Sequence, residues 1–200
     1  MTLKPDSQTP SNEERWREFL TTGTQDLEKR GRRIFRRLPD SPRCMACSAP
    51  FEGIGAPLVS LLFGRSQSTV DTRFCKKCTD FMREHPGGVE IEMSMLFADV
   101  RGSTTLAENH SPAEFSRFIN RFYKTTTDVL LASDAIIDRL IGDEVVGIYV
   151  PGIAGPRHAR RAVDAAQEIL RVTGHENAEG PWIPVGAGVH TGVSYVGTVG

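Results

Sequence analysis

From residue 90 to residue 192 the apolar pattern alternates between strand and helix spacing in one order, and that order restricts the fold more than any other feature. EIEMSMLFADV (90–100) reads as a strand, with Ile91, Met93 and Met95 alternating before a fully apolar end. Ser111-Pro112-Ala113-Glu114 is a capping box with proline at the first helical position. The helix behind it carries Phe115, Phe118, Ile119, Phe122, Thr126, Val129 and Leu130 at helical spacing, so these aromatics belong to the core. AIIDRLI and EVVGIYV are two strands joined by a tight hairpin at Gly142-Asp143, and Pro151 and Gly152 end the second. A helix over 156–172 places Ala162, Val163, Ala166, Ile169 and Leu170 on one face, and PVGAGVHTG supplies a last strand. Strand, helix, strand, strand, helix, strand is the split βαβ, ferredoxin-like arrangement of the α+β class.

That topology has a chemical consequence. The second strand of the hairpin lies antiparallel beside the first strand of the unit, so the end of one meets the start of the other. Asp99 and Asp143 occupy those two ends. A lone aspartate at a strand end is usually a turn residue, but two brought together form a site for hard divalent cations. Magnesium takes one or two carboxylates plus substrate phosphates. The loop after Asp99, VRGST, is small and hydroxylated and opens toward a helix, so its backbone N–H groups can turn to phosphate oxygens. Metal, triphosphate and a palm-like sheet point to nucleotidyl chemistry.

Bulk properties narrow the alternatives. The chain has 200 residues and a formal net charge of −1, which favours neither a nucleic-acid polymer nor a membrane surface as partner. No apolar run reaches the roughly 18 residues a membrane span needs. The start, MTLKPDSQTPSNEERW, lacks a signal-peptide core, and a cytoplasmic location is expected. Residues 1–12 are expected to be disordered, followed by a helix to about residue 38 with Trp16, Phe19 and Leu20 on one face and Leu27, Ile34 and Phe35 continuing it. The basic stretch KRGRRIFRR reads first as a solvated helix face, with a contact to acidic lipid or a partner as the alternative.

All four cysteines lie at Cys44, Cys47, Cys75 and Cys78, two C-x2-C pairs separated by 27 residues. Each knuckle offers two thiolates from one tight turn, which is a strong metal signal. Tetrahedral thiolates suit zinc first and an iron–sulfur cluster second, with free or redox thiols as the remaining reading. Disulfides are not expected in a cytosolic chain. The centre reads as structural or regulatory. The chain thus divides into a disordered start and helix (1–43), a cysteine module (44–88) and the α+β unit (89–200).

The second half resembles the class III adenylate/guanylate cyclases. FADVRGST is similar to their metal-binding segment F-x-D-I-x-G-F-T. IGDEVVGIYVPG is similar to their I-G-D hairpin, and VGAGVHTGVSYVGTVG to their R-I-G-I-H-x-G-x-x-x-G-x-V-G strand and turn. The cysteine pairs ahead of the unit are similar to a bacterial subgroup. The resemblance implies that Asp99 and Asp143, with the carbonyl of Val100, coordinate two magnesium or manganese ions. It implies that backbone groups of Gly102, Ser103 and Thr104 face the triphosphate. ATP would close to 3′,5′-cyclic AMP with loss of pyrophosphate, positioning and charge supplying most of the acceleration.

The family's first base-selecting position falls on Arg139, typically lysine in adenylate cyclases and glutamate in guanylate cyclases. Arginine has only donors, which suits adenine N1 better than guanine, so ATP is favoured over GTP; the competing reading pairs Arg139 with Asp138. The resemblance also implies about 60 further residues, of ordinary domain size in total, with a second base-selecting residue and an asparagine and arginine for the transition state. By this reading the 200 residues are an incomplete catalytic domain, inactive alone and homodimeric when complete. A catalytically inactive nucleotide-binding module is the alternative. Diguanylate cyclase is disfavoured, because Ile141-Gly142-Asp143-Glu144-Val145 lacks the first glycine and the phenylalanine of that signature. Glu144 is expected to face solvent or assist the metal ligands, His190 to stabilise a core or turn, and His158 with Arg157, Arg160 and Arg161 to form a solvated basic face.

Overall fold

The computed structural model describes residues 10–22, 31–32, 34–35, 37–38 and 42–198. Its helices are α1 (Asn12–Thr21), α2 (Gly55–Phe63), α3 (Lys76–Glu84), α4 (Ser103–Glu108), α5 (Pro112–Ala132), α6 (Pro151–Ala154) and α7 (His158–Val172). Its strands are β1 (Gly87–Val100), β2 (Ile136–Ile141), β3 (Glu144–Tyr149) and β4 (Val185–Thr198). They form one antiparallel sheet in the order β2-β3-β1-β4, the ferredoxin-like order expected from the element pattern.

Strand alternation divides the core in two. Leu96, Ala98 and Val100 of β1 face α5 and α7, where Ile119, Phe122, Leu130, Ala162, Ala165 and Ile169 are buried. Val89, Ile91 and Met93 point to the other face, where Trp16 and Leu20 of α1 cover them. Full burial of a side chain such as Leu20 is worth about 1.5–3 kcal/mol. The α5 capping box forms as expected, Ser111 Oγ accepting from the Glu114 N–H at 3.4 Å while Glu114 accepts from the Ser111 N–H at 3.0 Å. A second one, Ser11 with Glu14, starts α1.

Several expectations are corrected. The front segment is helical in α1, which ends at Thr21, and again at the described residues 31, 32, 34, 35 and 37; residues 23–30, with Leu27, lie outside the described residues, and Ile34 is 49% exposed while Phe35 is buried. Residues 11 and 12 belong to the cap and first turn of α1, and 1–9 lie outside the described residues. β1 starts at Gly87, three residues before the strand expected from residue 90. Gly88 pairs with Gly197 of β4, and a Cβ on either would overlap the opposite backbone, so the glycines serve close strand approach. On α7, Val163 is exposed and Ala165 is buried, one step round from the expected face. Arg32, inside the basic stretch, is buried and donates to the carbonyls of Ala46 and Ala135. Among the described residues no helix is long and apolar enough to cross a membrane.

Candidate active site

The carboxylate pair forms where three strands end or begin. In the β1–β3 ladder Asp99 lies opposite Glu144, and the Val100 N–H donates to the Asp143 carbonyl at 3.2 Å. The hairpin before Asp143 closes through Gly142, whose φ of 62° is left-handed and open to glycine without strain. Tyr123 of α5 donates its hydroxyl to the Gly142 carbonyl at 2.6 Å, fixing the turn from the helical layer. The Asp99 carboxyl responds to its neighbour. Partial burial, then the Asp143 charge, hold the Asp99 carboxyl above its ordinary range, with the Val100 N–H and Arg101 acting against them. The Tyr123 phenol is raised by burial and by the same Asp143 charge.

Odd-numbered β1 residues at this end, Phe97 and Asp99, lie on the face away from α5 and α7, and α1 covers only the far half of that face. Their β4 neighbours are Gly188 and Gly186, which leave a low floor. The Arg101 guanidinium lies over Gly186, where any Cβ would overlap it. Gly102, with a φ of 68°, is the N-cap of α4, and Ser103 and Thr104 form its first turn. Glu144 is half-buried beside Asp99. Arg139 is exposed and its Nε donates to Asp138 Oδ2 at 2.6 Å, so the structure shows the pairing raised as its competing reading. That bond uses one of the five guanidinium donors.

Sequence reasoning passed over Tyr123 and Arg101. Tyr123 sits beside the apolar stripe of α5 and gave no periodic signal; Arg101 lies in the quoted motif but gained meaning only from its place over β4. The burial expected of each histidine is corrected. His158 is 5% exposed rather than on a solvated face, its Nδ1 2.8 Å from Ser94 Oγ, which in turn lies 2.7 Å from Thr191 Oγ1. His190 is exposed on β4 rather than buried. Arg160 and Arg161 pair with Asp164 and Asp134.

A second cluster stands apart from the carboxylates. One sulfur from each of Cys44, Cys47, Cys75 and Cys78 lies within 4.8 Å of the others, and none forms a disulfide. Cys47 Sγ and Cys75 Sγ are 3.6 Å apart. Four sulfurs at about 2.3 Å from one ion would stand just under 4 Å from each other, so the donor set fits a tetrahedral thiophilic metal. N–H groups of Cys47 and Cys75 donate to Cys44 Sγ at 3.5 and 3.3 Å, and Arg65 Nη1 lies 3.6 and 3.7 Å from the sulfurs of Cys75 and Cys78. The thiols cannot all ionise unaided. Hydrogen bonds from neighbouring thiols push Cys44 and Cys75 down, while Cys47 and Cys78, donating to Cys44, are pushed up. Burial disfavours the Arg65 charge, yet the surrounding thiolates hold it firmly protonated.

A ferredoxin-like sheet with an acidic pair at adjacent strand ends and glycines beside it on β4 has the architecture of a palm-type unit. The chain belongs to the adenylate and guanylate cyclase catalytic domain family, whose sequence profile matches residues 89–200, more than half of the chain. Adenylate cyclase 1 of Rhizobium meliloti is 29% identical over 114 residues, covering 54% of this chain and 17% of that protein. An adenylate cyclase of Anabaena cylindrica is 31% identical over 114 residues, covering 54% of this chain and 22% of that protein. The solved guanylyl cyclase Cya2 superposes with a TM-score of 0.50 at 25% identity, covering 57% of this chain and 60% of that one. The chain therefore spans about a fifth of the length of these two curated relatives.

Proposed function

We propose that residues 89–200 form the metal- and triphosphate-binding part of an adenylate cyclase that converts ATP to 3′,5′-cyclic AMP and pyrophosphate. The observation that carries this reading is the convergence of Asp99 and Asp143 across the β1–β3 ladder, with the charge of one raising the carboxyl of the other. Like charges held together favour a divalent cation between them. Asp99, Asp143 and the Val100 carbonyl would hold two magnesium or manganese ions. Bound there, the ions would neutralise the phosphates and acidify the ribose 3′-hydroxyl.

The chain's own residues supply position. Tyr123 and Gly142 fix the hairpin, and backbone N–H groups of Gly102, Ser103 and Thr104 face the triphosphate. Arg139 offers its terminal nitrogens to adenine N1 while Asp138 keeps Nε, which supports ATP over GTP. Cys44, Cys47, Cys75 and Cys78 hold a structural zinc ion. The complete protein works as a homodimer in the cytoplasm.

Equilibrium binding of a non-cyclisable ATP analogue and its GTP counterpart to the 200-residue chain, with and without Mn²⁺, tests the reading. The expected result is Mn²⁺-dependent binding, tighter for ATP, weakened at least about tenfold by Asp99→Asn or Asp143→Asn, as loss of a charged ligand costs. Metal-independent binding untouched by either substitution would overturn it, and tighter GTP binding would move the assignment to guanylate cyclase.

A further inference from the structure

We propose that the first cysteine knuckle positions the hairpin that carries Asp143, so that filling or emptying the four-thiolate centre tightens or loosens the carboxylate pair. This rests on the metal-centre reading above.

Met45 lies between Cys44 and Cys47. Its N–H donates to the Arg73 carbonyl at 3.0 Å, which joins the first knuckle to the segment leading into Cys75. Its carbonyl accepts the Ile137 N–H at 3.3 Å, which joins the knuckle to β2. Its side chain packs against the core shared by the sheet and α5. Arg32, 7% exposed, spans the same joint: one terminal nitrogen donates to the Ala46 carbonyl in the knuckle, the other to the Ala135 carbonyl just before β2. Two carbonyls of the knuckle thus meet the cyclase unit along one line, Met45 directly at Ile137 and Ala46 through Arg32 at Ala135.

That line is the outer side of the sheet. β2 is an edge strand, paired only with β3, and its ladder is irregular between Ile137 and Arg139. An edge with a broken ladder depends on what supports it from outside. Here the support is the metal knuckle. From Ile137 the strand runs four residues to Ile141 and then turns at Gly142-Asp143. Arg139, the candidate base-contacting residue, lies on the way. The Arg73 side chain is held by Asp71 at 2.7 Å, which steadies the carbonyl that receives the Met45 N–H.

The centre has two states by its chemistry. Loaded, a metal ion neutralises thiolates that Arg65 alone only partly offsets. Emptied, the four sulfurs lose the ion that would tie Cys44 and Cys47 to Cys75 and Cys78, and the knuckle relaxes. Relaxation releases the Met45 carbonyl from Ile137 and lets β2 shift, which moves Asp143 relative to Asp99. Local opening of an edge strand is an equilibrium that amide exchange reads directly.

The experiment is hydrogen exchange on the 200-residue chain, loaded with zinc and then stripped by chelator under reducing conditions. Amides of 135–149 should exchange about tenfold faster without metal, while the buried stretch of α5 keeps its protection. Unchanged exchange over 135–149, with loss confined to 42–80, overturns the proposal. So does an equal rise everywhere, which would make the metal a general staple. Arg32→Met in the loaded chain should speed exchange over 135–149 while a Co²⁺ titration retains its thiolate absorption and stoichiometry; Arg32→Lys, reaching one carbonyl at a time, should fall between. If Arg32→Met leaves that exchange unaltered, the knuckle does not position the hairpin. If the chain binds no Co²⁺ or Zn²⁺, the metal-centre reading fails by itself, and the Arg32 series still decides the positioning.

Discussion

Asp143, in the turn just before the Asp99–Glu144 ladder pair, repels the Asp99 charge, and that repulsion is measurable without substrate. In the metal-free protein Asp99 titrates above an ordinary aspartate because of partial burial and the Asp143 charge. The sign follows: the fold binds this proton more tightly than the unfolded chain does. Stability therefore rises as pH falls through the raised value and levels off below the ordinary one. Divalent affinity moves the other way, since metal and proton compete for the same oxygens, and it weakens in the same window. Asp143→Asn removes the like charge, so the Asp99 midpoint should move down in a carboxyl NMR titration. A midpoint that stays or rises would show that the two groups are not neighbours in solution. The same substitution should weaken Mn²⁺ binding while relieving the pH dependence, a pair of effects that simple unfolding does not produce.

At the scale of elements, the glycines of β1 and β4 separate packing from turn formation. Gly88→Ala places a Cβ onto the Val196 carbonyl and the Gly197 Cα, and neither is the end of a flexible side chain. The expected cost is about 1–3 kcal/mol, read as a lower urea midpoint at constant slope. Ser111→Ala, which removes the α5 cap, should cost about 1 kcal/mol in the same measurement. The contrast explains what was legible beforehand. The capping box, the α5 stripe and the Gly142 hairpin are local signals, and each formed at the residues that carry it. Gly88 and Gly197 gave no such signal, because nothing local announces that two backbones will approach there. Arg32 read as part of a solvated run because its acceptors, Ala46 and Ala135, stand 14 and 103 residues away. His158 likewise took its burial from Ser94, 64 residues earlier. The carboxylate pair was legible because topology, itself read from local periods, implied it; Tyr123 was not, because its role is one hydrogen bond across 19 residues.

For the whole molecule, the question is whether the front segments and the cyclase unit unfold together. Trp16 of α1 donates its indole N–H to the His85 carbonyl at 2.8 Å, stands edge-on to Phe81 of α3 at 5.1 Å, and shares a core with Val89, Ile91 and Met93 of β1. That core joins the N-terminal helix, the last helix of the cysteine module and the sheet. The chain's other tryptophan reports from the far side: Trp182 donates to the Val172 carbonyl at 3.0 Å beneath the Arg121 guanidinium, 3.9 Å from its ring centre, against the α5–α7 core. The variants Trp16→Phe and Trp182→Phe each leave one reporter. Urea unfolding followed by fluorescence should give coincident transitions for the two when the four-thiolate centre is loaded, as one cooperative unit requires. Stripping the metal should lower the Trp16 midpoint and leave the Trp182 midpoint nearly in place, splitting the transitions, because Trp16 packs on α3, which carries Cys78, while Trp182 sits on the α5–α7 core. Two separate transitions in the loaded protein would instead make the cysteine-bearing half an independent domain, and Met45 and Arg32 a loose contact rather than a joint.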